Sequence, residues 1–207
     1  MKRELVLFGI LTLTLSGLLA AQSTRIASPV GTASTEIRGK YNTAAEPVYE
    51  GGKWIDVTYG RPIKRGRDLW GSGANYGVML NGGAPVWRAG ANVSTRLKTE
   101  LPLVINGTTL PRGEYSLFID LKPNNWTFIA STWAAQTIYD PRNTAALWGS
   151  FGYTPAKDVV RAQMTLGTLP LSVDQLTWSF ADMSDAGGKL AIMWDKVIAT
   201  VPFTIGR

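Results

Sequence analysis

The chain has 207 residues, 21 basic against 15 acidic, a formal charge of +6 at pH 7, eight tryptophans, and neither histidine nor cysteine. Those two absences exclude Ser-His-Asp and Cys-His catalysis, the usual zinc sites and every disulfide. Paired carboxylates, a Ser-Lys dyad, oxygen-ligand metals or no catalysis at all remain.

In chain order, the first 23 residues have the layout of an export signal: Lys2 and Arg3, an almost uncharged apolar run from Leu5 to Ala20, and the small-residue exit "LAAQS". The run is shorter than the ~20 residues of a comfortable bilayer span and ends without a basic stop. Cleavage near Ala21 or Ser23 is the reading favoured over an uncleaved anchor, and with no cysteine a lipid-modified N-terminus is excluded. The mature protein is then expected in the periplasm or outside the cell, with no stable membrane span. Removing Lys2, Arg3 and Glu4 leaves 19 basic and 14 acidic residues, a charge of +5. That is mildly basic, and suits weak attraction to anionic polymers or surfaces, not to nucleic acid. The remaining residues make one domain of ordinary size, stabilised by packing alone.

Residues 24–52 are rich in Ser, Thr, Ala and Gly without periodicity, and are expected to form a mostly irregular arm or linker. From Lys53 to residue 207 a single β-domain is expected. In "WIDVTY", Ile55, Val57 and Tyr59 share a face. In "EYSLFIDL", Tyr115, Leu117, Ile119 and Leu121 oppose Glu114, Ser116, Phe118 and Asp120, which implies one buried face. "NWTFIA", "DVVRAQMTL", "QLTWSFADM", "KLAIMWD" and "KVIATVPF" are further strands, separated by turn signals at "NGTTLPRG", "KPNN" and "DAGG". An all-β, antiparallel, jelly-roll-like sandwich follows. Pro202 should place the last strand at an edge or end it, and only residues 130–149 offer room for a short helix.

Four ordered segments carry a likeness: "VTYGRPIKRGRDLWG", "VWRAGANVSTRL", "INGTTLPRGEYSLFID" and "NWTFI". Over about residues 53–204 they resemble the bacterial family of domains of unknown function numbered 2911. The resemblance implies an exported β-domain of unassigned activity and supplies no catalytic residue. Two departures stand out: Val93 occupies a place where the family usually has glutamate, and "ANYGVMLNGGAP" replaces a shorter connection.

The candidate site is the basic stretch itself. Arginine is a permanently charged planar fork that meets carboxylate, sulfate or phosphate through two parallel bonds. Arg61, Arg65 and Arg67 converge with Arg88 and Asn92 if the first two segments are neighbours, and Trp70 and Trp87 would supply flat faces for a sugar ring. Such a set suits an anionic small molecule or an acidic carbohydrate, bound without metal or cofactor. The opposing reading is a clamp, in which the same arginines tie loop carbonyls and Arg67–Asp68 and Asn92–Thr95 lock the turns. Trp178 and Trp194 belong to the core by strand face, whereas Trp54, Trp133 and Trp148 are the better candidates for an exposed stacking platform.

Catalytic alternatives find less support. A glycoside hydrolase needs two carboxylates across a sugar, and Glu114 and Asp120, about 20 Å apart along one strand, do not fit. "DMSDAGG" reads as a hairpin before it reads as a calcium loop, and "GSGANYG" lacks the strand-to-helix passage with lysine and Ser or Thr that a phosphate cradle needs. A non-catalytic binding or structural module is therefore the favoured function, with a histidine-free carboxylate hydrolase as the alternative.

Overall fold

The computed structural model describes residues 26–138, 140, 142 and 149–207; the segment read as an export signal and Trp148 lie outside the described residues. The described residues contain twelve strands: β1 (Val30–Ile37), β2 (Lys40–Tyr41), β3 (Tyr49–Glu50), β4 (Lys53–Gly60), β5 (Arg96–Thr99), β6 (Leu103–Ile105), β7 (Thr108–Leu110), β8 (Gly113–Lys122), β9 (Asn125–Ser131), β10 (Asp158–Gln163), β11 (Thr165–Ser184) and β12 (Gly187–Ile205). They make a six-stranded antiparallel sheet in the order β1-β4-β5-β8-β9-β10, a four-stranded sheet in the order β11-β12-β6-β7, and a separate β2-β3 ribbon. One core joins the two large sheets, with Ile55, Val57, Leu97, Leu117 and Phe128 from the first and Trp178, Ile192, Trp194 and Val201 from the second. Burying each such side chain contributes roughly 1.5–3 kcal/mol, which supplies cohesion without any disulfide.

The turn signals hold where chemistry demands positive φ. Asn106 and Gly107, at φ 50° and 74°, join β6 to β7, and Asn124 at φ 57° joins β8 to β9. "DAGG" closes the β11–β12 hairpin through the Ser184–Gly187 pair. The two strands expected at "KLAIMWD" and "KVIATVPF" are both in β12, which doubles back between them. Nineteen extended residues would span about 60 Å, yet the Ile205 N–H donates to the Ala186 carbonyl at 2.8 Å. Asp195, at φ 53°, supplies the left-handed residue where the direction reverses.

Three expectations change. Within the stretch read as an irregular arm, Val30–Ile37 forms β1 and pairs with β4 along its whole length, from Val30–Gly60 to Ile37–Lys53. The inward residues Gly31, Ala33 and Thr35 are too small or polar to register as an apolar period. Pro202 neither ends the last strand nor sits at a sheet edge. It falls between Thr200, the last residue paired with β11, and Thr204, the first paired with β6, so no ladder bond is asked of it.

The third change concerns β8, which is buried on both faces at its middle. Phe118 and Ile129 pack with Val86 and Tyr153 in a second cluster, with Trp133 against it. The connection after β9 covers this part of the sheet, and its described residues contain no α-helix; Ala130 and Ser131 belong to β9. Among the described residues, no helix is long and apolar enough to cross a membrane.

Candidate functional site: an arginine-lined cleft

Two loops, residues 61–67 and 88–92, are drawn together by a close backbone approach. A Cβ on Gly60 would fall on the Ala91 carbonyl, so only glycine lets these segments meet. The first loop then makes a tight reversal. The Arg67 N–H donates to the Lys64 carbonyl at 3.2 Å, and Arg65 and Gly66 between them sit at φ 52° and 69°. Positive φ at both central positions defines a type I′ turn, for which Asn-Gly is the preferred pair. Arginine at the first of these positions is strained by roughly 1–2 kcal/mol.

Between the loops lies an open cleft of about 450 Å³, lined by Ala27, Ser28, Pro62, Ile63, Arg65, Arg67, Arg88, Ala91 and Asn92. Four of the seven candidate residues therefore come together: Arg65, Arg67, Arg88 and Asn92. Each is held differently. The Arg67 Nε and Nη2 donate to the Lys64 and Ile63 carbonyls at 2.9 and 2.7 Å, and its guanidinium lies 5.9 Å from the centre of the Trp194 ring. Arg88 is half-buried, with its guanidinium against Gly149. Arg65 is exposed and makes no hydrogen bond or ion pair among the described residues. Asn92, left-handed at φ 63°, donates from Nδ2 to the Ser28 carbonyl at 3.2 Å and fixes the N-terminal wall.

The remaining three candidates stand outside the cleft. The Arg61 side chain lies across Gly31, its Nε directed at the Leu176 carbonyl at 3.5 Å, and ties β1 to β11. Trp87 is 1% exposed. The Trp70 ring centre lies 4.7 Å from that of Trp126 with the planes tilted by 48°, within a group that includes Trp87 and Trp194. These indoles fill the core because no smaller arrangement hides so much apolar surface. The ring that meets an arginine is Trp194, a strand residue whose core position gave no hint of it.

The proposed locks are also rearranged. Asp68 does not hold Arg67; its Oδ1 accepts from the backbone N–H groups of Trp70 and Gly71 at 3.3 and 3.1 Å. Thr95 does not hold Asn92, and its buried hydroxyl has no hydrogen-bond partner among the described residues. Of the tryptophans expected at the surface, Trp54 is 44% exposed. Trp133 is half-buried, its Nε1 donating to the Thr154 carbonyl at 3.1 Å and Lys157 lying 4.1 Å from its ring centre.

No carboxylate is found among the described residues lining the cleft. The neighbouring Asp195 accepts from Lys64 Nζ at 2.6 Å and Ser172 Oγ at 2.8 Å, and those two bonds, Lys64 first, hold its carboxyl below the ordinary value. Ser172 and Lys64 thus share one carboxylate oxygen of Asp195. Elsewhere, Glu114 meets Arg96 at 3.1 Å, and Asp120 meets Lys122 and Arg161 at 3.3 and 3.6 Å. These carboxylates are neutralised in place and do not face one another as a glycosidase pair would.

Fold and cleft together define a class: an antiparallel two-sheet β-domain whose loops build a cationic cleft beside a tryptophan-rich core. The family model described as "Protein of unknown function (DUF2911)" matches residues 42–203, and the chain belongs to that family. No curated protein and no solved structure matches it.

Proposed function

We propose that this chain is an exported, non-catalytic module that holds an anion in the cleft formed by Arg65, Arg67, Arg88 and Asn92. The observation that carries the reading is Arg65. It stands in a strained left-handed position where glycine or asparagine would be more stable, lines a cleft with no carboxylate among its described residues, and makes no hydrogen bond or ion pair among the described residues in exchange. Strain of this kind is characteristic of residues kept for a ligand. Arg67 supports it: two carbonyls and the Trp194 face fix the fork in advance, so little freedom is lost on binding. Export is supported by the basic start, apolar run and small-residue exit of the first 23 residues. N-terminal sequencing of the protein recovered outside the cytoplasm checks it, with a start just after Ala21 or Ser23 expected and an intact Met1 counting against it.

Sulfate and D-glucuronate titrated into the protein at low ionic strength test the binding reading, with tryptophan emission as the signal because Arg67 touches Trp194. Saturable binding that weakens with added sodium chloride is expected. Arg65→Ala should lose about tenfold in affinity, the worth of one charge-assisted hydrogen bond. Equal affinity in Arg65→Ala, or no binding of either anion, overturns the proposal.

A further inference from the structure

The cleft is larger and less polar than a bare oxyanion requires. Its volume of about 450 Å³ lies within the ~300–1,000 Å³ range of organic-ligand sites, several times what a sulfate or phosphate fills. Its lining is also divided in kind. Arg65, Arg67, Arg88 and Asn92 supply donors, while Ala27, Pro62, Ile63 and Ala91 present carbon surface. A hydrated inorganic ion gains nothing from that carbon surface. A compact organic body does, because it removes the surface from water while its charged group meets the guanidinium forks.

Resting on the anion-binding reading above, we infer that the ligand is an organic anion: a carboxylate or phosphate carried on a body the size of one pyranose ring, the oxyanion on the arginines and the ring against Pro62 and Ile63. Asp68 and Asp195 do not compete for Arg65 or Arg67, since Asp68 accepts from the Trp70 and Gly71 amides and Asp195 is bound by Lys64 and Ser172. The half-buried Ile63 is the residue that distinguishes an organic anion from an inorganic one. It is held in the loop by a bridge to Gln175, so its side chain faces the ligand from a fixed backbone.

The test compares four probes at one ionic strength: D-glucuronate, glucose 6-phosphate, glucose and inorganic sulfate. Each is titrated into the wild type, Arg65→Ala and Ile63→Ser. At least one of the two sugar acids should bind about tenfold more tightly than sulfate, matching the burial of roughly two CH₂ equivalents, and glucose should not bind measurably. Preference for glucuronate identifies the carboxylate source, and preference for glucose 6-phosphate the phosphate source. Ile63→Ser should weaken the sugar acids and leave sulfate unchanged; the sulfate titration then shows that this variant is folded. Sulfate binding as tightly as both sugar acids overturns this inference while leaving the anion reading intact. Binding of none of the anions overturns the anion reading itself. Glucose binding as well as glucuronate overturns the requirement for charge.

Discussion

Two sites of this molecule use arginine in opposite ways. Within β10, Arg161 is surrounded by acceptors: its Nη1 donates to Asp158 Oδ2 at 2.8 Å and to the Tyr153 hydroxyl at 2.9 Å, and its Nη2 lies 3.6 Å from Asp120. Tyr153 in turn donates to the same Asp158 oxygen at 2.5 Å. In the cleft, Arg65, Arg67 and Arg88 come from two loops and meet no carboxylate among the lining residues. The difference separates arginine used as a fastener from arginine kept available. The β10 network pins the 149–157 segment over Phe118 and Ile129, closing the outer face of the sheet. In the cleft, Arg67 is fastened by carbonyls that leave its charge unneutralised, and Arg65 makes no hydrogen bond or ion pair among the described residues.

The comparison can be broken most forcibly at Asp158. Its side chain is 6% exposed and its Oδ1 is buried without a hydrogen-bond partner among the described residues, so it depends on Arg161 and Tyr153. Asp158→Ala should cost about 2–3 kcal/mol, below the usual loss for a fully buried pair because Arg161 is 41% exposed. Urea denaturation measures this, and a change under 0.5 kcal/mol, a figure typical of a bland surface site, would show that the network fastens nothing.

A smaller effect appears at alkaline pH. Burial first, then the hydrogen bond to Asp158, raises the Tyr153 phenol above its ordinary value. The folded state therefore keeps a proton that the unfolded chain releases above about pH 10, so stability is full below that pH and falls as pH rises past it. Tyr153→Phe should make the decline above about pH 10 shallower. Tyr115, raised by its own burial, should leave a residual slope. Identical slopes in the two proteins would contradict this assignment.

The smallest and most telling effect belongs to the cleft. Arg65→Asn should raise stability by about 0.5–1 kcal/mol, since asparagine tolerates the left-handed conformation, while anion affinity falls about tenfold. A variant that gains stability and binds more weakly would mark Arg65 as a residue retained against the preference of the fold. A loss of stability would place it among the fasteners beside Arg161.

How much of this could be read from the chain depends on what each residue type discloses locally. Period-two alternation located the middle strands because Ile55, Val57 and Tyr59 are large enough to mark a face. The break between "KLAIMWD" and "KVIATVPF" fell at the residue where β12 reverses, because an Asp-Lys step interrupts two apolar runs. β1 left no such period, because Gly31, Ala33 and Thr35 fill its inward face up to Ile37, the one large buried side chain it carries. The density of arginines in residues 61–67 marked the cleft, and the second segment added Arg88 and Asn92. Which tryptophans would face them was not legible: that depends on Trp194 arriving from β12, more than a hundred residues along the chain. Nor does any local pattern disclose that Asn92 reaches the Ser28 carbonyl.

The placement of β1 has a consequence for solubility. It covers β4 along eight paired residues at the edge of the six-stranded sheet. A chain beginning at residue 53 would expose the backbone of "WIDVTYG" as a raw sheet edge, rich in β-formers and ready to template the same strand of another molecule. β1 is a poor template itself: its sequence "VGTASTEI" is short of large apolar groups and carries Glu36 near its end. The residues that look most like a disposable leader thus serve as a terminator, ending the sheet on a strand to which another copy gains little by adding.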